Sequence, residues 1–265
     1  MRNVRILVAY DGSKFFGWQR QDGFESVQQR IEEALHGLVG ERVVVQGSGR
    51  TDTGVDALGQ VAHFLAETPL EDDRLRHALN ANLPESIRIR RAETCRPDFH
   101  ARFDALGKRY LYLTATSRFQ PPFAREFMHW VYEPLDLGAM RAAARLLVGK
   151  HDFRAFGNTG SPRKTTVRTL RGLRILAHQR GLAFVVEADG FLYNMVRTIA
   201  GTLFDVGRGR FGPEQVREAL ETGERALAGP TAPACGLYLL RVRYAEQVFP
   251  GPDRGPRGVP GVFQL

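Results

Sequence analysis

The strongest constraint on the fold is the order in which strands and helices are predicted along the chain. Residues 1–104 show this order for the first time. Apolar residues alternate along residues 2–10, which predicts a strand with one buried face. Ser26 and Gln29 have the spacing of a capping box and predict the start of a helix. A second helix ends before Pro84. Three further strands are predicted at RVVVQ (42–46), QVAHFL (60–65) and SIRIRRAE (86–93).

The same order occurs again between residues 105 and 246. Strand patterns lie at 108–116, 165–176, 181–188 and 236–244. Three helices are predicted: one after Asp136, one over residues 191–206 and one from Pro213 to Gly223. Strand, helix, strand, strand, helix, strand is the ferredoxin-like unit. The sequence therefore predicts an α/β (α+β) protein of two ferredoxin-like halves, 1–104 and 105–246. Their antiparallel sheets adjoin around a central cleft, and a Pro/Gly-rich tail follows at 247–265.

The charge balance favours a polyanionic partner. The chain of 265 residues has 37 Lys and Arg against 29 Asp and Glu, a net charge of +8. Nucleic acid is the commonest polyanion that such a protein binds. A single basic cluster is more often a solvated face, but three clusters together favour RNA. They are Arg88, Arg90 and Arg91; Lys108 and Arg109; and Arg163, Lys164 and Arg168.

The cysteines and histidines predict neither a disulfide framework nor a metal site. Cys95 and Cys235 are far apart in the sequence, which suits a reducing compartment. The seven histidines include no HxxxH or HxH pair. No apolar run has the length of a signal peptide core or of a transmembrane helix. We therefore expect a cytoplasmic protein without a bound metal and without a membrane segment.

One acid, Asp52, lies in the glycine-rich segment GSGRTDTG (47–54). The commoner interpretation is a tight turn in which the carboxylate caps a backbone amide. The alternative is a reactive carboxylate. In that case Arg50 either keeps Asp52 ionised or contacts a phosphate. Asp52 also begins the DTG tripeptide of aspartic proteases, but those enzymes need two carboxylates that share a proton. The chain has no second DTG, and Arg50 would oppose proton sharing, so we set the protease interpretation aside.

Five motifs in order resemble one known family. GRTDTGVDALGQVAHF (49–64) is similar to the GRTDxGVHA signature of the TruA family of tRNA pseudouridine synthases. The other four are YDGSKFFGWQRQ, FHARFDALGKRYLY, FLYNMVRTIAG and APACGLYLLRVRY, and together they span nearly the whole chain except the tail. The chain departs from the pattern at Asp56, where the family usually has His, and at Thr53, where it often has Ala. The departure at Asp56 changes the surroundings of the site but not the reaction that the resemblance implies.

The resemblance implies a reaction, a substrate and a set of site residues. The reaction is the conversion of uridine to pseudouridine at positions 38, 39 and 40 of the tRNA anticodon stem-loop, without a cofactor and by a homodimer. Asp52 is implied as nucleophile or base, Tyr110 as the ring that stacks on the everted uracil, and Arg197 as the partner of Asp52. Arg50 and Leu237 are implied as substrate contacts.

Each of these side chains also has a structural interpretation. Tyr110 and Leu237 resemble ordinary core residues of strands, and the helical position of Arg197 alone favours a solvated side chain. Phe15, Phe16 and Trp18 either cover the site or staple a buried loop. A non-catalytic RNA-binding protein on the same scaffold is the alternative function, although the chain lacks the aromatic strand pattern of RNP motifs.

Overall fold

The computed structural model describes residues 1–158, 165–178 and 180–249. Its ten strands form one sheet in the order β4-β1-β3-β10-β5-β9-β8-β7, with β2 paired to β3 and β6 paired to β5. The strands are β1 (Arg2–Tyr10), β2 (Gln46–Gly47), β3 (Asp56–Ala66), β4 (Ile87–Thr94), β5 (Gly107–Thr116), β6 (His129–Val131), β7 (Gly149–Asp152), β8 (Val167–His178), β9 (Gly181–Ala188) and β10 (Leu237–Arg243). The helices are α1 (Val27–Val39), α2 (Asp72–Asn82), α3 (Leu137–Leu147), α4 (Met195–Gly207) and α5 (Pro213–Thr222).

Both predicted units have the same strand order. The first runs β4-β1-β3-β2 and the second β10-β5-β9-β8, so the last strand of each unit pairs with its first. A short parallel contact between β3 and β10 joins the two sets, at the pairs Tyr238–Asp56 and Leu239–Ala57. The mixed α/β class and its largely antiparallel sheet are confirmed, with one continuous sheet. The boundary between residues 104 and 105 stays a prediction.

The sequence patterns place most helix ends as predicted, but α4 begins at Met195 and not at residue 191, because Asn194 before it has a left-handed backbone (φ 60°). Ser26 accepts a hydrogen bond from the amide of Gln29 at the start of α1, and Asp136 accepts one from the amide of Ala139 at the start of α3. These caps satisfy amides that have no partner within the helix. Pro213 begins α5, and Gly223 follows it in the left-handed conformation that glycine favours.

The strand predicted at 42–46 is wrong except at its last residue, since β2 contains only Gln46 and Gly47. Side chains of α1 replace the missing strand partner. Glu32 accepts a hydrogen bond from the amide of Val45, and Gln28 donates one to its carbonyl oxygen. Buried backbone groups need a partner, but the partner does not have to be another strand. Val43 and Val45 are therefore buried without belonging to the sheet, whereas Val44 between them is exposed.

Helix α4 packs on the face of β5 that carries Tyr112. The rings of Phe184 on β9 and Phe204 on α4 lie 5.3 Å apart, and Tyr112 lies 6.2 Å from each of them. Burying a large apolar side chain of this kind contributes about 1.5 to 3 kcal/mol. Because side chains two apart on a strand share a face, Lys108 and Tyr110 point to the same side as Tyr112. This side faces the candidate site.

Residues 250–265 of the predicted tail lie outside the described residues, as do Arg163 and Lys164 of the third basic cluster. Within the described ranges, no helix is long and apolar enough to cross a membrane.

Candidate active site

Asp52 lies on the connection between β2 and β3, and the loop that follows β1 holds this connection in place. The amide of Trp18 donates a hydrogen bond to the carbonyl oxygen of Thr51. A β-carbon at Gly17 would lie 2.6 Å from that oxygen, so only glycine fits there. The hydroxyl groups of Tyr10 and Thr51 lie 2.7 Å apart. Motifs from residues 10–21 and 49–64 thus meet at the backbone of Asp52.

Residues 52–55 form the predicted turn, in which the amide of Val55 donates a hydrogen bond to the main-chain carbonyl oxygen of Asp52. The Asp52 carboxylate caps no described backbone amide, so that part of the turn interpretation is wrong. It is half-buried, and nothing within the described ranges donates a hydrogen bond to it or forms an ion pair within 4.0 Å. Burial raises the pKa of Asp52, and the positive charge of Arg197 acts in the opposite direction. A partly dehydrated carboxylate with free oxygens and a nearby cation is suited to chemistry at a bound substrate.

Arg197 is half-buried on α4, which contradicts the expectation of a solvated side chain. Its Nε donates a hydrogen bond to the carbonyl oxygen of Ala232 (2.7 Å), and its Nη1 donates one to Oδ1 of Asn194 (2.9 Å). The amide of Ala232 donates to the carbonyl oxygen of Arg197 in return. Two fixed nitrogens hold the guanidinium in one orientation, so its charge acts on Asp52 from a defined position.

Tyr110 lies on β5, 8% exposed, with Leu239 and Val186 opposite it on the neighbouring strands. Its ring meets that of Phe191 edge to face at 5.1 Å. Burial raises the pKa of Tyr110, and the charges of Tyr10 and Asp52 raise it further. The phenol is therefore protonated at neutral pH. The structure thus brings Asp52, Arg197 and Tyr110 together from three separate motifs.

The two implied substrate contacts lie in different surroundings. Arg50 is exposed, and its Nε donates a hydrogen bond to Oε1 of Gln19 at 3.2 Å. Leu237 is 5% exposed at the start of β10 and lies opposite Tyr112. Both roles stay predictions. In the loop after β1, Phe15 and Trp18 are buried, whereas Phe16 is 49% exposed.

Asp56, the residue that replaces the family's usual His, has a role that the sequence did not predict. It is 4% exposed at the start of β3, and its Oδ1 accepts a hydrogen bond of 2.7 Å from the amide of Gly12. Burial raises the pKa of Asp56 to about 7, and this hydrogen bond acts in the opposite direction. Asp56 therefore fastens the loop after β1 to the segment that carries Asp52. Gly12 and Asp56 are 44 residues apart in the sequence, so no local pattern predicts their contact.

The basic clusters are not equivalent. Arg109 forms an ion pair with Glu187 at 2.7 Å, on the face of β5 opposite to Tyr110. Lys108 instead reaches the glycine-rich segment, where a β-carbon at Gly49 would lie 2.9 Å from its Nζ. In the part of the chain that the structure describes, no group of three or more His, Cys, Asp or Glu side chains is arranged to bind a metal.

Comparisons with known proteins place the chain in a family. The family model described as tRNA pseudouridine synthase matches residues 6–104 and 143–245. The chain is 44% identical to tRNA pseudouridine synthase A of Acetivibrio thermocellus over 92% of this chain and 100% of that protein. It is 46% identical to tRNA pseudouridine synthase A of Syntrophotalea carbinolica over 93% of this chain and 98% of that protein.

Solved structures give a weaker likeness. An H/ACA ribonucleoprotein bound to a substrate RNA containing 2'-deoxyuridine matches 74% of this chain and 45% of that chain at 11% identity, with a TM-score of 0.34. The family model matches residues 6–104 and 143–245, and the curated relatives extend over more than nine-tenths of the sequence. The chain therefore belongs to the tRNA pseudouridine synthase family.

Proposed function

We propose that this protein isomerises uridine to pseudouridine at positions 38, 39 and 40 of the tRNA anticodon stem-loop, with Asp52 as the reacting carboxylate. The observation that carries the proposal is the Asp52 carboxylate itself. It is half-buried, it forms no hydrogen bond to any described residue, and it lies within the field of Arg197. Family membership supports the reaction class, and the burial and unbonded oxygens of Asp52 support the choice of residue.

Two routes use the same acid. In the first, a carboxylate oxygen of Asp52 bonds to C1′ of the ribose as the C1′–N1 bond breaks and uracil leaves as an anion. The uracil turns, its C5 bonds to C1′ and expels the carboxylate, C5 loses its proton and N1 gains one. In the second route, Asp52 removes the C2′ proton as uracil leaves and returns it to C2′ as C5 bonds to C1′, after which C5 loses its proton and N1 gains one. Both routes conserve every atom, so neither needs a cofactor.

Arg197 has an electrostatic role in either route. Burial alone favours the neutral acid, which can neither attack C1′ nor accept a proton. The guanidinium lowers the pKa of Asp52 against that effect, and it offers a counter-charge when uracil departs as an anion. Its hydrogen bonds to Ala232 and Asn194 keep it from collapsing onto the carboxylate.

Tyr110 contributes a stacking ring and a hydroxyl group. The raised pKa keeps the hydroxyl protonated, so Tyr110 is not a standing base. We infer that it relays the C5 proton towards Asp52 after the carboxylate has been released. Arg50 and Leu237 contact the everted nucleotide, whose extraction from a stem costs about 2 to 4 kcal/mol. The net charge of +8 favours binding of the RNA backbone, and this binding offsets the cost of extracting the nucleotide.

Asp52→Asn tests the proposal, because asparagine keeps the shape and removes the charge. We expect no pseudouridine at positions 38 to 40 in unmodified tRNA incubated without cofactor, while tRNA binding is largely retained. Asp22→Asn is the matched control, since Asp22 is an exposed acid. Pseudouridine formation at the wild-type rate by Asp52→Asn would overturn the assignment. Binding without product in the wild type would instead support the non-catalytic RNA-binding alternative.

We also propose that the protein acts as a cytoplasmic homodimer. Each chain would then contain two halves, residues 1–104 and residues 105–246. Sedimentation at working concentration tests the oligomeric state, and a monomer would contradict it.

A further inference from the structure

Lys108 lies across the backbone of the segment that carries Asp52. It is half-buried on β5, two residues before Tyr110 and on the same face of the strand. A β-carbon placed on Gly49 would lie 2.9 Å from Nζ and 3.1 Å from Cε of Lys108. The absence of a side chain at residue 49 is therefore what gives the ammonium group its place. Gly49 precedes Asp52 by only three residues.

The Gly49 peptide is a fixed support. Nε2 of Gln60 donates a hydrogen bond of 2.9 Å to the carbonyl oxygen of Gly49. Oε1 of Gln60 accepts one of 2.7 Å from the hydroxyl group of Ser48. Gln60 is fully buried and Ser48 is 1% exposed, so both orientations are set by the core. The Lys108 ammonium group consequently packs against a segment of backbone whose position is fixed by the core.

Lys108 has no anionic partner in residues 1–158, 165–178 and 180–249. No carboxylate lies within 4.0 Å of its Nζ, and no described group accepts a hydrogen bond from it. The charges that act on it are both positive, Arg102 and Arg168. Burial and these two cations lower the pKa of Lys108 to about 8. A half-buried cation among cations is unfavourable, and proteins retain such groups where an anion binds.

Lys108 is also not the counter-charge of Asp52, because the cation that acts on that carboxylate is Arg197. The α-carbons of residues two apart on a strand lie about 6 to 7 Å apart, so Lys108 and Tyr110 project side by side from one face of β5. A lysine serves a phosphate as a point charge without demanding a particular orientation.

We propose that Nζ of Lys108 binds a backbone phosphate of the tRNA strand next to the everted uridine. This inference rests on the proposed function, since it takes Tyr110 and Asp52 as the place of the reacting nucleotide. Lys108 would neither make nor break a bond. It fixes the strand so that the uridine enters the site in one register.

Lys108→Met removes the charge and keeps an unbranched apolar stem. Loss of one phosphate contact should raise the Kd for unmodified tRNA about fivefold to tenfold at 0.1 M salt, and should reduce the slope of log K against log salt by about 0.7 to 0.9. Lys150→Met is the matched control, because Lys150 is an exposed lysine on β7 at the far edge of the sheet. It should leave both quantities unchanged. The single-turnover rate at saturating enzyme should change less than the Kd.

Gly49→Ala makes the test specific to this geometry. The new methyl group must displace the lysine tip, so Gly49→Ala should reproduce part of the loss in affinity. It should add nothing further in a Lys108→Met background. Additive effects of the two substitutions would contradict the proposed contact.

A measurement on the wild type does not depend on how the variants fold. An amine of lowered pKa is acylated readily near pH 8, and tRNA should protect Lys108 from an acylating reagent in peptide mass spectra. Inorganic phosphate at the same phosphate concentration should not protect it, and equal protection would assign the site to free phosphate instead. If wild-type protein forms pseudouridine while tRNA fails to protect Lys108 and Lys108→Met binds like Lys150→Met, the inference is overturned and the proposed function stands. If the wild type forms no pseudouridine, the function itself fails.

Discussion

Replacing Arg197 by glutamine should shift the pH dependence of the reaction in a predictable direction. Activity in either route requires the ionised form of Asp52, so the rate falls as pH decreases through the pKa of that carboxyl. Burial raises this pKa and Arg197 is the cation that lowers it. Without Arg197 only the effect of burial remains. The acidic limb of the rate profile must therefore move to higher pH.

The size of the shift follows from the distance. No ion pair joins the two side chains within 4.0 Å, so their charges are farther apart than in a contact pair. Two unit charges 4 Å apart interact by about 4 kcal/mol at an effective dielectric constant of about 20, which is an upper limit here. Since one pKa unit corresponds to about 1.4 kcal/mol, a shift of about 1 to 2 pH units is expected.

Single-turnover rates at saturating enzyme, measured from pH 4.5 to 9, provide the assay. Arg197→Lys retains a positive charge without the planar guanidinium, so its acidic limb should stay closer to that of the wild type. Arg50→Gln should lower tRNA affinity without moving the limb, because Arg50 does not contribute to the pKa shift of Asp52. An acidic limb at the same pH in Arg197→Gln and in the wild type would refute the electrostatic role of Arg197.

Two further substitutions test other parts of the site. Tyr110→Phe keeps the ring that packs on Phe191 and removes the hydroxyl group, so tRNA binding should stay near normal while turnover falls greatly; unchanged turnover in a single-turnover assay would return Tyr110 to a structural role. Asp56→Asn keeps an oxygen for the Gly12 amide. The folded protein holds a proton on Asp56 up to about pH 7, whereas the unfolded chain releases this proton near pH 4. Asp56 therefore lowers the stability of the wild type as the pH rises between these two values. The Tm advantage of Asp56→Asn should therefore grow from pH 5 to pH 7 and level off above it, and an advantage that shrinks with pH in thermal melts would contradict this sign.

Local patterns predicted the elements that local physics determines. The alternation along residues 2–10, the caps at Ser26 and Asp136, and the proline and glycine at the ends of α5 all act within a few residues. The strand predicted at 42–46 failed because Gln28 and Glu32 hydrogen-bond to Val45 from a helix. No count of β-branched residues can reveal that competition.

The site was predictable only in part for the same reason. The resemblance named Asp52, Tyr110 and Arg197, and the fold brings them together, but their catalytic roles stay predictions. The contacts of Asp56 with Gly12 and of Lys108 with Gly49 join segments that are far apart in the chain. The sequence shows the residues at both ends of each contact without showing that they meet.

The two units differ in the connection between their second and third strands, and with Asp52 as the proposed reacting acid this limits how many reactive centres a chain can have. In the first unit, β2 and β3 are joined by residues 48–55, which contain Asp52, whereas β8 and β9 are joined by residues 179 and 180, a glutamine and an arginine. A symmetric scaffold thus has an acid on one side only. Rapid-quench measurements with excess tRNA should accordingly give a burst of no more than one modified uridine per polypeptide.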